Sequence, residues 1–245
     1  MGKLDGKIAI ITGGASGIGK ALSQLFVSEG AKVIAADINE DALKTVSEEN
    51  ENIVGMKLDV SNDEDWKTLV EKVEKDFGKI DILINNAGVT SEKPVNQIDY
   101  KDFEFLMKIN AYGTLLGMKH VGPAMMKNKQ GSIVNLSSVT AQVGMGFNSY
   151  TSSKGAVRAM SKAAAVEYGR HGVRVNAVFP GVIETPMTKG LESSAETLNQ
   201  INALTPLGRL GKPEEVGRAI LFLASDDASY IAGAELAIDG GYSAM

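Results

Sequence analysis

Short β-branched apolar runs alternate along the chain with longer segments of helical period, the pattern of βαβ units and a parallel sheet. The runs at residues 7–12, 32–37, 53–59, 80–85, 132–136, 174–179 and 235–238 are read as strands. Helical patterns at 18–28, 40–49, 64–77, 100–126, 150–170 and 213–224 lie between them. Most strand runs are apolar throughout instead of alternating, as expected when helices cover both faces of a sheet. The expectation is one α/β domain over residues 1–245, a Rossmann-type doubly wound parallel sheet of about seven strands. Only 183–207 fits neither pattern. It is polar, bounded by Pro186 and Pro206, with Gly190 inside. Long excursions in compact domains are usually functional or mobile, and this one is read as a substrate lid.

Composition narrows the chemistry by exclusion. Hydrophobic residues make up 44% and charged residues 22%, ordinary for a globular protein. No apolar stretch approaches the roughly 18 residues of a membrane span, and the short polar start enters a strand at once, so no signal peptide is expected. The chain has no cysteine, which removes disulfides, thiolate metal sites and a cysteine nucleophile and suits a cytoplasmic location. With only His120 and His171, no histidine-based metal cluster is available, and no metal is expected. A net charge of −5 without basic blocks argues against nucleic acid or an anionic membrane surface as partner.

The first predicted strand runs into Thr12-Gly13-Gly14-Ala15-Ser16-Gly17-Ile18-Gly19 and then an amphipathic helix. A glycine-rich strand-to-helix turn lets the backbone approach a pyrophosphate, and the helix N-terminus offers unpaired N–H groups and a favourable dipole. The spacing is Gly-x-x-x-Gly-x-Gly, not the general G-x-G-x-x-G fingerprint. Taken alone, these glycines could serve tight packing only. The second strand ends at Asp37, near the offset of about 20 residues at which an acidic side chain meets the adenosine ribose hydroxyls. A carboxylate there repels a 2′-phosphate, and no Arg or Lys lies between Gly13 and Gly19 to attract one. NAD is therefore expected over NADP. The competing reading, in which Asp37 merely caps the next helix, stays open at this point.

Tyr150-Thr151-Ser152-Ser153-Lys154 opens a helix, and the i, i+4 spacing sets Tyr150 and Lys154 on one face. A free tyrosine titrates near ~10, too high for a base at neutral pH, and a nearby ammonium lowers that value. A lone Y-x-x-x-K arises often by chance. Here it follows a strand ending in Ser137 and Ser138.

In these motifs the chain resembles the short-chain dehydrogenase/reductase family, in its short single-domain branch. The resemblance covers essentially the whole length. It adds Asp59-Val60, Asn85-Asn86-Ala87-Gly88, Asn110, Asn135-Leu136-Ser137-Ser138, Pro180-Gly181-(x)3-Thr185 and Asp239-Gly240-Gly241 to the glycine loop and the Tyr150/Lys154 pair. The joint order and spacing of these motifs carry the resemblance, since any one could be coincidence.

The resemblance implies hydride transfer between a nicotinamide and a secondary alcohol or ketone, with Tyr150 as acid/base. Lys154 would lower the Tyr150 pKa and hold the nicotinamide ribose. Ser138 would hydrogen-bond the substrate oxygen. Asn110 would hold a water linking Lys154 to solvent, against the alternative of a satisfied, buried helix asparagine. The cofactor would be lined by Gly13, Ser16, Gly17, Ile18 and Gly19, with Asp37 at the ribose and Asp59 and Val60 at the adenine. Asn86, Ala87 and Gly88 would follow the fourth strand, and Pro180-Gly181 would set Ile183 and Thr185 against the carboxamide. Counted forward from Gly131 along the strand, the family pattern lands on Ser138. Counted back from Tyr150, it lands on Ser137. The forward count is preferred, because a strand's register is fixed by its ladder while the loop that follows can lose a residue at little cost.

A small-molecule alcohol or carbonyl is the expected substrate, with Met145, Phe147, Met187 and Leu191 suggesting an apolar body. Two alternatives remain. One is a 3-oxoacyl reductase of fatty-acid synthesis acting on a carrier-protein thioester, against which Asp37 and the acidic balance speak. The other is a catalytically silent NAD-binding protein, against which the intact Asn110, Ser138, Tyr150 and Lys154 set speaks. The helices at 100–126 and 150–170 carry more apolar residues than one sheet-facing stripe needs, among them Leu115, Leu116, Met118, Val157, Met160 and Ala163 to Ala165. The family pairs these helices across a two-fold axis, and a homotetramer of D2 symmetry is expected.

Overall fold

The computed structural model describes residues 2–91, 93–144, 146–189 and 195–245. Seven strands form one parallel sheet: β1 (Ile8–Thr12), β2 (Lys32–Asp37), β3 (Ile53–Lys57), β4 (Ile82–Asn85), β5 (Gly131–Leu136), β6 (Val173–Pro180) and β7 (Glu235–Ile238). Their order is β3-β2-β1-β4-β5-β6-β7. The chain thus winds outward from β1 in one direction, then returns past it to add β4 on the other side. Loops leaving the carboxyl ends of β1 and β4 diverge, which opens the crevice where doubly wound sheets bind ligands. Every residue of β1, β4 and β5 is buried, as the unbroken apolar runs required.

Helices α1 (Gly17–Ser28) and α8 (Pro213–Ala224) cover one face with α2 (Glu40–Glu49), closing a core around Leu22, Phe26, Val216 and Ile220. Helices α3 (Asp63–Phe77), α5 (Gly113–Asn128) and α6 (Ser149–Gly169) cover the other, around Trp66, Leu116, Val121 and Ile133. Asn39, Asn62 and Asn148 cap α2, α3 and α6 by accepting from first-turn backbone N–H groups. A buried amide relay crosses the sheet under the crevice. Asn85 Nδ2 donates to Asn135 Oδ1 at 2.8 Å, and Asn135 Nδ2 to Ser161 Oγ at 2.9 Å, so β4, β5 and α6 share one register.

Two segments depart from the sequence expectation. The helical pattern at 100–126 is not one helix. It is α4 (Tyr100–Leu106), a π-helical segment Met107–Tyr112, and α5. Secondly, the irregular stretch at 183–207 contains a helix, α7 (Ala195–Leu204). Both ends of that stretch are tied down. Ile183 bridges Gly211, Glu184 N donates to the Gly211 carbonyl at 2.9 Å, and Leu207 N donates to the Gly240 carbonyl at 3.1 Å. The third strand is also shorter than expected, so Asp59 and Val60 lie in the turn beyond β3. Among the described residues, no helix is long and apolar enough to cross a membrane.

Candidate active site

The crevice is built from the loop after β1. Gly13 and Gly17 take positive φ, +62° and +50°, which a side chain disfavours. A Cβ on Gly19 would sit 1.9 Å from the Gly13 carbonyl oxygen, and one on Gly14 would sit 2.7 Å from that of Ile11. The loop is therefore folded on itself as tightly as glycine allows. Ser16 occupies the N-cap of α1 but its side chain makes no capping bond, and no acidic residue stands in the first turn. The helix thus offers free N–H groups at a positive dipole end, a fit for a pyrophosphate. Asp37, at the end of β2, faces this loop. Its Oδ2 accepts from Ala15 N at 3.3 Å and its Oδ1 from Asn39 N at 3.0 Å.

The loop after β4 is stapled to the first. Asn86 Nδ2 donates to the Thr12 carbonyl at 2.8 Å, and Thr12 Oγ1 accepts from both Asn86 N and Ala87 N at 3.0 Å. Asn86 thus spends its amide on holding the two loops together, while Ala87 and Gly88 face the crevice. Beyond β3, Asp59 Oδ1 accepts from the Ser61 hydroxyl at 2.7 Å and Ser61 N at 2.9 Å, which holds its carboxyl below the usual range. Trp66 Nε1 donates to the Val60 carbonyl at 2.9 Å, fixing the turn that would meet an adenine.

One crevice collects most of the candidates. Gly13, Ser16, Gly17, Ile18, Asn86, Ala87, Gly88, Ser138, Tyr150, Lys154, Pro180, Gly181, Ile183 and Thr185 all line it, joined by Leu136, Ser137, Pro186, Met187 and Thr188. Gly19 lies behind the loop, and Asp37, Asp59 and Val60 stand at neighbouring strand ends outside this lining. Met145 and Leu191 lie outside the described residues, and Phe147 is exposed.

The two serines diverge. Ser137 Oγ donates to the Lys154 carbonyl at 2.9 Å, so it packs against α6. Ser138 Oγ accepts from Thr140 N at 3.3 Å and Thr140 Oγ1 at 3.1 Å, and it hydrogen-bonds the Tyr150 hydroxyl. With its acceptor capacity taken by Thr140, the Ser138 hydroxyl hydrogen is left for Tyr150 or a ligand oxygen. An oxygen placed between these two hydroxyls is within reach of both.

Lys154 is buried, and Nζ donates to the Leu136 carbonyl at 2.8 Å while standing 5.8 Å from the Tyr150 ring centroid. Burial pulls its pKa down to about 8. The expected depression of Tyr150 is absent. Loss of solvent raises its phenol above the usual range, and the Ser138 hydrogen bond only partly opposes that. The reason is geometric: the Lys154 ammonium is turned to a backbone carbonyl, and its own charge is disfavoured by burial.

Asn110 sits in the π-helical segment and is fully buried. Its Nδ2 donates to the Val89 carbonyl and to Ser153 Oγ, both at 2.9 Å, and its Oδ1 accepts from Val89 N at 2.8 Å. Both side-chain donors are spent, so the amide clamps the loop after β4 instead of donating to a water. Gly88 lies where a Cβ would approach Asn110 Oδ1 to 3.1 Å and Lys154 Nζ to 3.4 Å. Ser153 and Val89 were not singled out from the sequence. Ser153 sits inside the Y-x-x-x-K spacing without a mark of its own, and Val89 contributes only backbone atoms.

Comparison with known proteins agrees with this geometry. A family model described as enoyl-(acyl carrier protein) reductase matches residues 13–243. The chain is 45% identical to the 3-oxoacyl-[acyl-carrier-protein] reductase FabG of Thermotoga maritima over 246 residues, covering 98% of each. It is 38% identical to a cyclopentanol dehydrogenase of Comamonas sp. over 249 residues, covering 100% of each. An NADP-dependent (R)-specific alcohol dehydrogenase of Lentilactobacillus kefiri is 39% identical over 252 residues, covering 99% of each. Among solved structures, gox2181 superposes with a TM-score of 0.95 at 33% identity, covering 99% of this chain and 98% of that chain.

Proposed function

The chain belongs to the short-chain dehydrogenase/reductase family of oxidoreductases, and from that premise we propose that it interconverts a secondary alcohol and its ketone with NAD as preferred cofactor. The observation that carries the reading is the meeting of Ser138 and Tyr150 hydroxyls at one point of the crevice, one helical turn from buried Lys154. The nicotinamide supplies or accepts the hydride when bound. The protein's part is the proton. Tyr150 gives its phenolic hydrogen to the carbonyl oxygen in reduction and takes it back in oxidation, while Ser138 donates to the same oxygen as charge develops there. Lys154 provides the cationic neighbour that makes the phenolate attainable. Gly13 to Gly19 and the α1 N-terminus would hold the pyrophosphate, Asp59 and Val60 the adenine, and Ile183 and Thr185 the carboxamide edge. The segment 183–207 would close over the substrate as a lid.

Asp37 supports the NAD preference, because its carboxylate stands beside the backbone of the phosphate loop with no cation among residues 13–19 to offset it. Family membership does not decide the matter, since one relative is named NADP-dependent. Like charges in contact cost several kcal/mol, so Asp37→Ser is expected to raise kcat/KM with NADPH by roughly tenfold or more while that with NADH falls. A wild-type enzyme with higher kcat/KM for NADPH than for NADH would remove the role given to Asp37.

The 45% identity to a 3-oxoacyl carrier-protein reductase favours a second substrate reading, the same proton chemistry on a β-keto thioester. Initial rates of NADH oxidation with cyclopentanone and with an acetoacetyl thioester, free and carrier-linked, separate the two. Failure of every ketone and thioester with both NADH and NADPH would favour a silent nucleotide-binding protein.

Assembly as a homotetramer is part of the same proposal. Some of the apolar excess on the two long helices is used within the chain, for Leu116, Met118 and Val157 are in the core. What is left is a groove of Tyr100 and Phe103 on α4, Tyr112 of the π-helical segment and Leu115 on α5, with Ala156 and Met160 of α6. Light scattering at micromolar concentration is expected to report a tetramer. A monomer there would overturn it.

A further inference from the structure

Arg158 lies on α6 two turns beyond Tyr150, on the face shared by Tyr150 and Lys154 through successive i, i+4 steps. Its guanidinium joins three parts of the fold. Nε and Nη2 donate to Glu235 Oε1 and Oε2 at 2.9 and 2.8 Å, a two-pronged contact to the first residue of β7. Nη1 donates to the Ala141 carbonyl at 2.9 Å. The guanidinium carbon also lies 5.9 Å from the Phe179 ring centroid on β6.

The Ala141 contact matters because of where that carbonyl sits. Val139–Ala141 is a single 3-10 turn whose N-cap is Ser138. A turn this short leaves its last carbonyls without internal partners, and at Ala141 the Arg158 fork supplies one. Within the same turn, Thr140 donates to Ser138 Oγ through both its backbone N and its hydroxyl. These two bonds aim the Ser138 hydrogen at Tyr150. Anything that lets the turn drift therefore swings the Ser138 donor away from the reacting oxygen, and small misplacements of a catalytic donor cost heavily in rate.

We propose that Arg158 is a positioning residue for the reaction, pinning the Ser138 turn to α6 and β7 through the Ala141 carbonyl and Glu235. It touches neither substrate nor cofactor. The proposal rests on the ketone-reductase reading above and acts through Ser138. Glu235 holds the fork: its carboxyl is kept below the usual range chiefly by Arg158, with Lys162 Nζ 3.7 Å from Oε1. Lysine at position 158 cannot reproduce the planar, divergent set of donors.

A double-mutant cycle tests this, using NADH and whichever of cyclopentanone or an acetoacetyl thioester gives the higher kcat/KM. Arg158→Met is expected to lower kcat about tenfold, with NADH Kd, read by cofactor fluorescence, within twofold of wild type. Arg158→Lys should recover part of the loss, and Glu235→Gln should cost less than Arg158→Met. In a Ser138→Ala background, Arg158→Met should change kcat less than twofold, because the donor it positions is gone. An unchanged tenfold loss in that background, an undiminished kcat in Arg158→Met, or a loss confined to NADH binding would each overturn the proposal while leaving Ser138 and Tyr150 in place. A Ser138→Ala enzyme of wild-type rate would instead sink the reaction reading, and this inference with it.

Discussion

Tyr150→Phe is expected to lower kcat for ketone reduction and for alcohol oxidation by ~10²–10⁴, the usual contribution of positioned acid–base catalysis, with NADH Kd within a few-fold of wild type. The substitution removes one oxygen and keeps the ring that packs under Lys154 Nζ. Neither Ser138 nor Lys154 can replace it, since Lys154 Nζ is turned to the Leu136 carbonyl and the Ser138 hydroxyl is far weaker as an acid. The pH dependence carries the matching sign. Oxidation needs the phenolate and should rise with pH, whereas reduction needs the phenol and should fall as the same pair titrates. Burial raises Tyr150 and draws Lys154 down to about 8, so both shifts disfavour charge. Removing the cation by Lys154→Met should displace the rising limb for oxidation to higher pH. A Tyr150→Phe variant retaining more than a tenth of wild-type kcat, folded and binding NADH, would contradict the acid–base role.

The layout of the fold was legible because a parallel sheet writes itself plainly. The strands at 32–37 and 235–238 begin and end where the sequence reading puts them, and the glycine loop falls between the first strand and the first helix. The departures share a physical cause. In the helix pattern at 100–126, the π-helical segment Met107–Tyr112 rotates the following face without any change in residue type, so periodicity passes over it. That rotation brings Asn110 inward to clamp Val89. The helix at Ala195–Leu204 is ten residues long and lies in a polar stretch between Pro186 and Pro206, so composition there reads as a loop. Backbone acceptors leave no mark at all. Neither the Leu136 carbonyl that receives Lys154 nor the Ala141 carbonyl that receives Arg158 could be inferred from residue identity. The sequence supplied the members of the site, whereas their partners are decided by tertiary structure.

The adjacent serines give the sharper test of register. Ser138→Ala is expected to lower kcat on the order of 100-fold or more, the common cost of losing a donor aimed at developing oxyanion charge. Ser137→Ala should stay within a few-fold. The forward count along β5 favours this ranking, and the structure adds an independent reason. Leu136 and Asn135 pair with Val178 and Ala177 of β6, and Ser137 N donates to the Val178 carbonyl at 2.9 Å, so the ladder holds up to the first serine. Its side chain then turns to the Lys154 carbonyl at 2.9 Å, whereas the Ser138 hydroxyl meets that of Tyr150 one helical turn earlier on α6. Ser137→Ala deletes a buried donor, but the Lys154 carbonyl lies inside α6 and keeps its helical partner, so the cost is about 0.5–1.5 kcal/mol of stability. The two variants should therefore separate by turnover: Ser138→Ala loses it and Ser137→Ala keeps it nearly intact, while both lose some melting temperature, since Ser138 Oγ also accepts from Thr140 N and Oγ1. If Ser137→Ala instead lost turnover and Ser138→Ala kept it, with both folded and binding NADH, the oxyanion donor would have to be reassigned one residue earlier on the chain.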